Sequence, residues 1–164
     1  MQEVVLFCLI VGVISTLALD IWVILVEKVL GIPPTNWGMV GRWLTGLMKG
    51  QFLLDTRNDS TPSGSEKALG WIFHYGIGIA YAVLLLLIYG TGFISAPHWL
   101  GFIVVGVVLS TLAGLMILMP AMGGGLFARK TPNPGQVIIY ILIAHGAFAV
   151  GQYLGALLTL SLLS

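Results

Sequence analysis

The chain has 164 residues, of which 58% are hydrophobic and 8% charged, and its formal net charge is +1. An ordinary globular domain carries roughly a quarter charged residues, so this chain has too few charges to coat a surface facing water. Near-neutral charge without a basic run excludes nucleic acid as a natural partner, and a lone cysteine, Cys8, excludes an intrachain disulfide and any zinc-type cysteine spacing.

The first apolar run extends over about 4–26. It has the roughly 20 residues needed to cross a hydrocarbon core of about 30 Å. It lacks a basic leader and a small-residue cleavage pattern, so it is expected to stay in the mature protein. Next comes Ile32-Pro33-Pro34, and then Trp37, Val40, Trp43, Leu44, Leu47 and Met48 recur at helical spacing with Arg42, Thr45 and Lys49 between them. That pattern predicts a short amphipathic helix, lying either on the inner leaflet or packed on the spans. The stretch 55–65 is rich in Ser, Asn, Pro and Gly and reads as a flexible linker. Ser63 and Glu66 have capping-box spacing for the helix that follows.

The second, third and fourth apolar runs cover about 68–89, 99–119 and 137–163. In lipid, backbone polar groups must be satisfied within a helix or a closed barrel, and strict alternation of polar and apolar residues is absent. The expected fold is therefore all-α: one domain over 1–164, a polytopic bundle of four transmembrane helices with an amphipathic cytoplasmic helix between spans one and two. Gly106, Ser110 and Gly114, Gly151 and Gly155, and Gly76 and Ala80 form small-residue ladders suited to close helix packing, within the chain or between copies. Met122 followed by Gly123, Gly124 and Gly125 predicts irregular backbone after Pro120.

Four crossings put the loops 27–67 and 120–136 on one side. All seven basic residues, Lys28, Arg42, Lys49, Arg57, Lys67, Arg129 and Lys130, lie in those loops. The positive-inside rule assigns that side to the cytoplasm and both termini to the opposite side.

Asp20 stands inside the first span, where a carboxylate costs about 2.5–3.5 kcal/mol on insertion scales. Counting 1.5 Å per residue from the cytoplasmic edge puts Asp20 at a depth of about 12 Å, His74 at about 10 Å and His145 at about 13 Å. Thr16 and Tyr75 extend this polar layer, and Gln152 lies deeper. Three readings fit. The histidines make structural hydrogen bonds, or the layer handles a proton or small solute, or His74 and His145 hold a haem or a metal between helices. His98, after Pro97 in the outer turn, is expected to face solvent. No nucleophile motif, phosphate loop or metalloprotease pattern is present, which points away from an enzyme.

Ala18-Leu19-Asp20, Gly31-Ile32-Pro33, Met39-Val40-Gly41-Arg42-Trp43, Gly70-Trp71, His74-Tyr75, Gly78-Ile79, Pro120, Met122-Gly123, Thr131-Pro132-Asn133-Pro134 and Ala144-His145 together resemble a family of small four-span bacterial inner-membrane proteins, domain of unknown function 2938. The resemblance covers nearly the whole chain. It implies a multi-pass protein of the bacterial inner membrane, in contact with the lipid bilayer, without an assigned reaction or cofactor. Expected functions are permeation of a proton or small solute, a haem- or metal-binding redox subunit, or a non-catalytic assembly or stress-tolerance factor acting as a homo-oligomer or with a membrane partner.

Overall fold

A computed structural model describes residues 1–163, and among them all regular structure is helical. In chain order the helices are α1 (Gln2–Leu30), α2 (Trp37–Leu47), α3 (Gly64–Tyr89), α4 (Trp99–Ala121) and α5 (Pro134–Leu163), with short 3-10 turns at Thr91–Ile94 and Leu126–Ala128. Four of them, α1, α3, α4 and α5, are long and apolar enough to cross a bilayer. The chain is an all-α, multi-pass membrane protein.

Local chemistry sets the helix ends. Gly31 caps α1 in the left-handed region at φ 68°, where a side chain is disfavoured, and its N–H donates to the Glu27 carbonyl at 2.9 Å. Asn36 caps α2 by accepting from the Met39 N–H at 3.3 Å. The expected capping box closes at the start of α3: the Glu66 N–H donates to Ser63 Oγ at 3.2 Å, and the Ser63 N–H donates to Glu66 Oε2 at 2.6 Å. His98 is exposed, as expected, and caps α4, its Nδ1 accepting from the Gly101 N–H at 3.4 Å.

α4 departs from regular winding. Ile103–Leu109 and Gly114–Leu118 form wide turns with hydrogen bonds spanning five residues, so that the Ser110 N–H reaches the Val105 carbonyl. The second wide stretch precedes Pro120, which lacks an N–H and whose ring crowds the carbonyl four residues back. Widening the turn relieves that clash. It also shifts the buried face, which steps through Phe102, Gly106, Ser110 and Leu115. Leu115, 3% exposed, takes the inward place that four-residue spacing assigns to Gly114.

Beyond α4 the backbone is irregular as expected, with positive φ at Gly123 (88°) and Gly125 (73°) and also at Phe127 (51°) and Ala128 (59°). Non-glycine residues in that region are strained.

The chain divides into two compact units, each made of several segments. The first comprises Met1–Pro34, Tyr75–Thr111 and the chain from Leu142 onward. Its core joins Phe7, Val11, Leu85, Phe93, Phe102 and Ala156. Here α1 and α3 approach backbone to backbone: a Cβ on Gly12 would lie 2.5 Å from Ile79 Cα, and one on Gly78 would collide with Thr16 Oγ1. The Gly151 and Gly155 ladder packs as expected, facing Ser15 and Val11 of α1, whereas Gly76 and Ala80 are exposed and a Cβ on Gly76 would meet nothing.

The second unit comprises Thr35–His74 and Leu112–Ile141. In it α2 crosses the start of α3 so closely that a Cβ on Gly41 would collide with the Glu66 carbonyl, and one on Gly70 with that of Trp37. Of the two placements open to the amphipathic helix, its Val40 and Trp43 face is packed on protein. The stretch expected to be a flexible linker is tied down. Arg42 donates from Nη1 to the carbonyls of Ser60 (2.8 Å) and Asn58 (3.3 Å), Trp43 Nε1 donates to the Phe52 carbonyl (3.0 Å), and the Leu54 N–H donates to the Ala121 carbonyl (2.8 Å).

Candidate functional site

α1 and α3 run antiparallel at the Gly12 and Gly78 contact, and the same pairing carries Asp20 toward Tyr75. Thr16 is one turn from Gly12, and Asp20 one turn further. On α3, Tyr75 lies about one turn before Gly78. The Tyr75 hydroxyl donates to Asp20 Oδ2 at 3.1 Å, and both side chains are half-buried. Thr16 is 1% exposed, and its hydroxyl is turned back to the Gly12 carbonyl at 2.8 Å. Of the expected polar layer, the structure thus joins Asp20 and Tyr75 directly, with Thr16 packed at Gly78 beside them.

His145 is half-buried in the same unit and pairs with a residue that sequence reasoning missed. Its Nδ1 stands 3.0 Å from Thr111 Oγ1 on α4, and Phe148 sets its ring edge-on to the imidazole at 6.4 Å. Thr111 is 7% exposed. A lone threonine beside Ser110 carries no sequence signal, because which helix faces which is not written in hydropathy. The pair offers a proton donor and an acceptor whose roles depend on the imidazole tautomer.

His74 belongs to the second unit, where it is 8% exposed. Its ring stacks on Trp37 at 3.8 Å between centroids and meets Trp71 at 5.7 Å. The Gly70 contact brings Trp37 to that position. An imidazole between two indoles lies in an apolar, polarisable setting, and the ring edge remains its polar part.

Outside the apolar runs, the strongest electrostatic feature is Arg42 with Glu66. Arg42 Nε donates to Oε1 at 2.9 Å and Nη2 to Oε2 at 3.2 Å, a two-pronged contact that the planar guanidinium suits. The hydrogen bond from Arg42, followed by that from the Ser63 N–H, holds the Glu66 carboxyl down at about 2. The same contact raises Arg42 further above its ordinary value. Among the described residues, no group of three or more His, Cys, Asp or Glu side chains is placed to hold a metal.

Another residue missing from the expected site is Gln152 of α5. It is 0% exposed, and a Cβ on Gly106 of α4 would run into its Oε1. Its depth was legible in the sequence. Its fit against a glycine on a widened turn was not.

Neither a curated protein nor a solved structure matches the chain. The family described as protein of unknown function (DUF2938) matches it over residues 9–159, which takes in most of each of the four spans and every polar group of the candidate site. By that match, the chain belongs to this family.

Proposed function

We propose that this protein carries a proton or small solute across the bacterial inner membrane through a polar site within its spans. The observation that supports this reading is the Asp20 carboxylate, hydrogen-bonded at 3.1 Å to the Tyr75 hydroxyl between helices that are otherwise apolar. An intramembrane carboxylate is expensive, and such residues are common components of ion and substrate pathways. A phenol beside it can donate to the carboxylate and can also bridge to a solute. The His145 and Thr111 pair supplies a second exchangeable group in the same unit. With the basic loops in the cytoplasm, both termini face the outer side.

The test is a flux assay in proteoliposomes comparing wild type with Asp20→Asn, which keeps the shape of the side chain and one acceptor oxygen for the Tyr75 hydroxyl and removes the charge. Proton or solute flux is expected in the wild type and at least a tenfold loss in the variant. Equal flux in both, or none in either, removes the reading.

One observation favours a different class, an assembly factor. Gly76 and Ala80 expose a small-residue face that the chain itself does not cover. If that face joins copies, Gly76→Ile lowers crosslinking in membranes and leaves the fold intact; unchanged crosslinking excludes it. The haem or metal reading draws no support from the described contacts of His74 and His145.

A further inference from the structure

Gln152 lies near the middle of the apolar run 137–163, and no solvent or lipid reaches its side chain, which is 0% exposed. Neither Oε1 nor Nε2 has a hydrogen-bond partner among the described residues. A buried amide without partners is strongly disfavoured in an apolar setting. Other buried polar side chains of this unit are satisfied. Ser15 and Thr16 donate to the Gly12 carbonyl at 3.0 and 2.8 Å, Ser110 to that of Gly106 at 2.6 Å, and Thr159 to that of Gly155 at 2.8 Å, while Thr111 pairs with His145. The Gly106 carbonyl already accepts from Ser110. Gly106 itself belongs to the first widened stretch of α4, where the absence of a side chain leaves Oε1 its place.

We propose that Gln152 is the recognition group of an interior site for a small neutral ligand that donates and accepts hydrogen bonds at once: a water molecule, or a hydroxyl- or amide-bearing solute little larger. The amide offers one carbonyl acceptor and two N–H donors and carries no charge. Gly106 and Ala149, which meet at the same point of the helix contact as Oε1, supply no charge to neutralise an ion. Along the α4 and α5 seam, His145 and Thr111 lie seven residues before Gln152 and five after Gly106. Hydrogen-bonding groups thus recur over about 10 Å of that seam. This deepens the permeation reading by naming a neutral substrate class, and it rests on that reading only for movement of the ligand, since binding is measured separately.

The test uses the full chain in lipid nanodiscs with 15N-labelled glutamine. There are four glutamines, Gln2, Gln51, Gln136 and Gln152, and the Gln152 side-chain signal is assigned by its absence in Gln152→Leu. Magnetisation transfer from a bound water to that NH2 group, surviving dilution of bulk water exchange, identifies water. A saturable shift on titrating urea or ethylene glycol identifies a solute. Absence of both effects overturns the site. Gln152→Leu is also expected to lower the unfolding temperature, because a ligand-satisfied amide is lost; a rise means the amide was unpaired and overturns the proposal. If Gln152→Leu does not fold, Gly106→Ala, which crowds Oε1, supplies the assignment and the NMR result decides. Water and urea permeability of proteoliposomes is expected to fall at least fivefold in the variant. Binding without permeability sinks the permeation reading and leaves the site standing, whereas permeability without binding does the reverse.

Discussion

Arg42 links three parts of the second unit through one planar group: the Glu66 carboxylate at the start of α3 and the carbonyls of Asn58 and Ser60 in the loop before it. Lysine keeps the charge and loses the fork. Arg42→Lys is therefore expected to free the stretch 55–65, which limited proteolysis of the purified protein reads as faster cleavage there; an unchanged cleavage rate speaks against the link. The partner residue titrates in an accessible range. Glu66, in the turn ahead of the apolar run 68–89, has its carboxyl lowered from 4.5 to about 2 by Arg42 and the Ser63 N–H. Because the folded value lies below the unfolded one, the stability it adds is fully present above pH 4.5 and disappears as pH falls toward 2. Thermal unfolding at about pH 6 and about pH 3 should show a drop in wild type that is smaller in Glu66→Gln. A drop of equal size in both places the acid sensitivity elsewhere. Within the span, Tyr75→Phe removes a hydrogen bond to Asp20 that membrane double-mutant cycles value at about 0.6–1.7 kcal/mol. A modest fall in unfolding temperature in detergent is expected, smaller than that from opening a core cavity.

At the scale of elements, legibility followed the range of the interaction. The four spans, the α2 periodicity and the Ser63 and Glu66 capping box are set by residues within a few turns of one another, and they stand where sequence spacing put them. The winding of α4 was illegible, because the inference that Gly106, Ser110 and Gly114 share a face assumes 3.6 residues per turn and the widened stretches do not keep it. The small-residue ladders were visible in the sequence, but the partner of each was not. Gly151 and Gly155 meet α1, whereas Gly76 meets nothing. The candidate site divides in the same way. Depth along a helix put Asp20, His74 and His145 in one layer with Tyr75 extending it, and of these a hydrogen bond joins Asp20 to Tyr75. Lateral order decides the Thr111 partner of His145 and the glycine against Gln152, and it depends on packing that no single segment encodes. This contrast gives a paired experiment. Gly70→Ala forces a methyl into the Trp37 carbonyl and should cost about 1–3 kcal/mol, typical of overpacking, with a change in the fluorescence of half-buried Trp37 and buried Trp43. Gly76→Ala points into open space and should be neutral or gain up to about 1 kcal/mol from helix propensity. Equal effects from the two would mean that α2 is not seated on α3 as described.

At the scale of the whole molecule, the proposed orientation rests on charge alone. Lys and Arg resist transfer across the bilayer, so loops that hold them stay on the side of synthesis. Here the loops 27–67 and 120–136 carry all seven, and the turn 90–98 carries none. The short loop 120–136 gives the clearest signal, because Arg129 and Lys130 lie close to two span ends and cannot be carried over by a large folded segment. The sole cysteine makes the arrangement measurable: Cys8 is buried, 7% exposed, and Cys8→Ser clears the background. On that background, Ser95→Cys in the outer turn should react with a membrane-impermeant maleimide in intact spheroplasts, while Thr131→Cys should react only after the membrane is opened. Both positions lie at loops in which the side chain reaches solvent or nearly so. The reverse pattern would invert the protein and place Arg129 and Lys130 outside, contrary to the charge argument. Labelling of both in intact spheroplasts would mean that the chain does not cross between them.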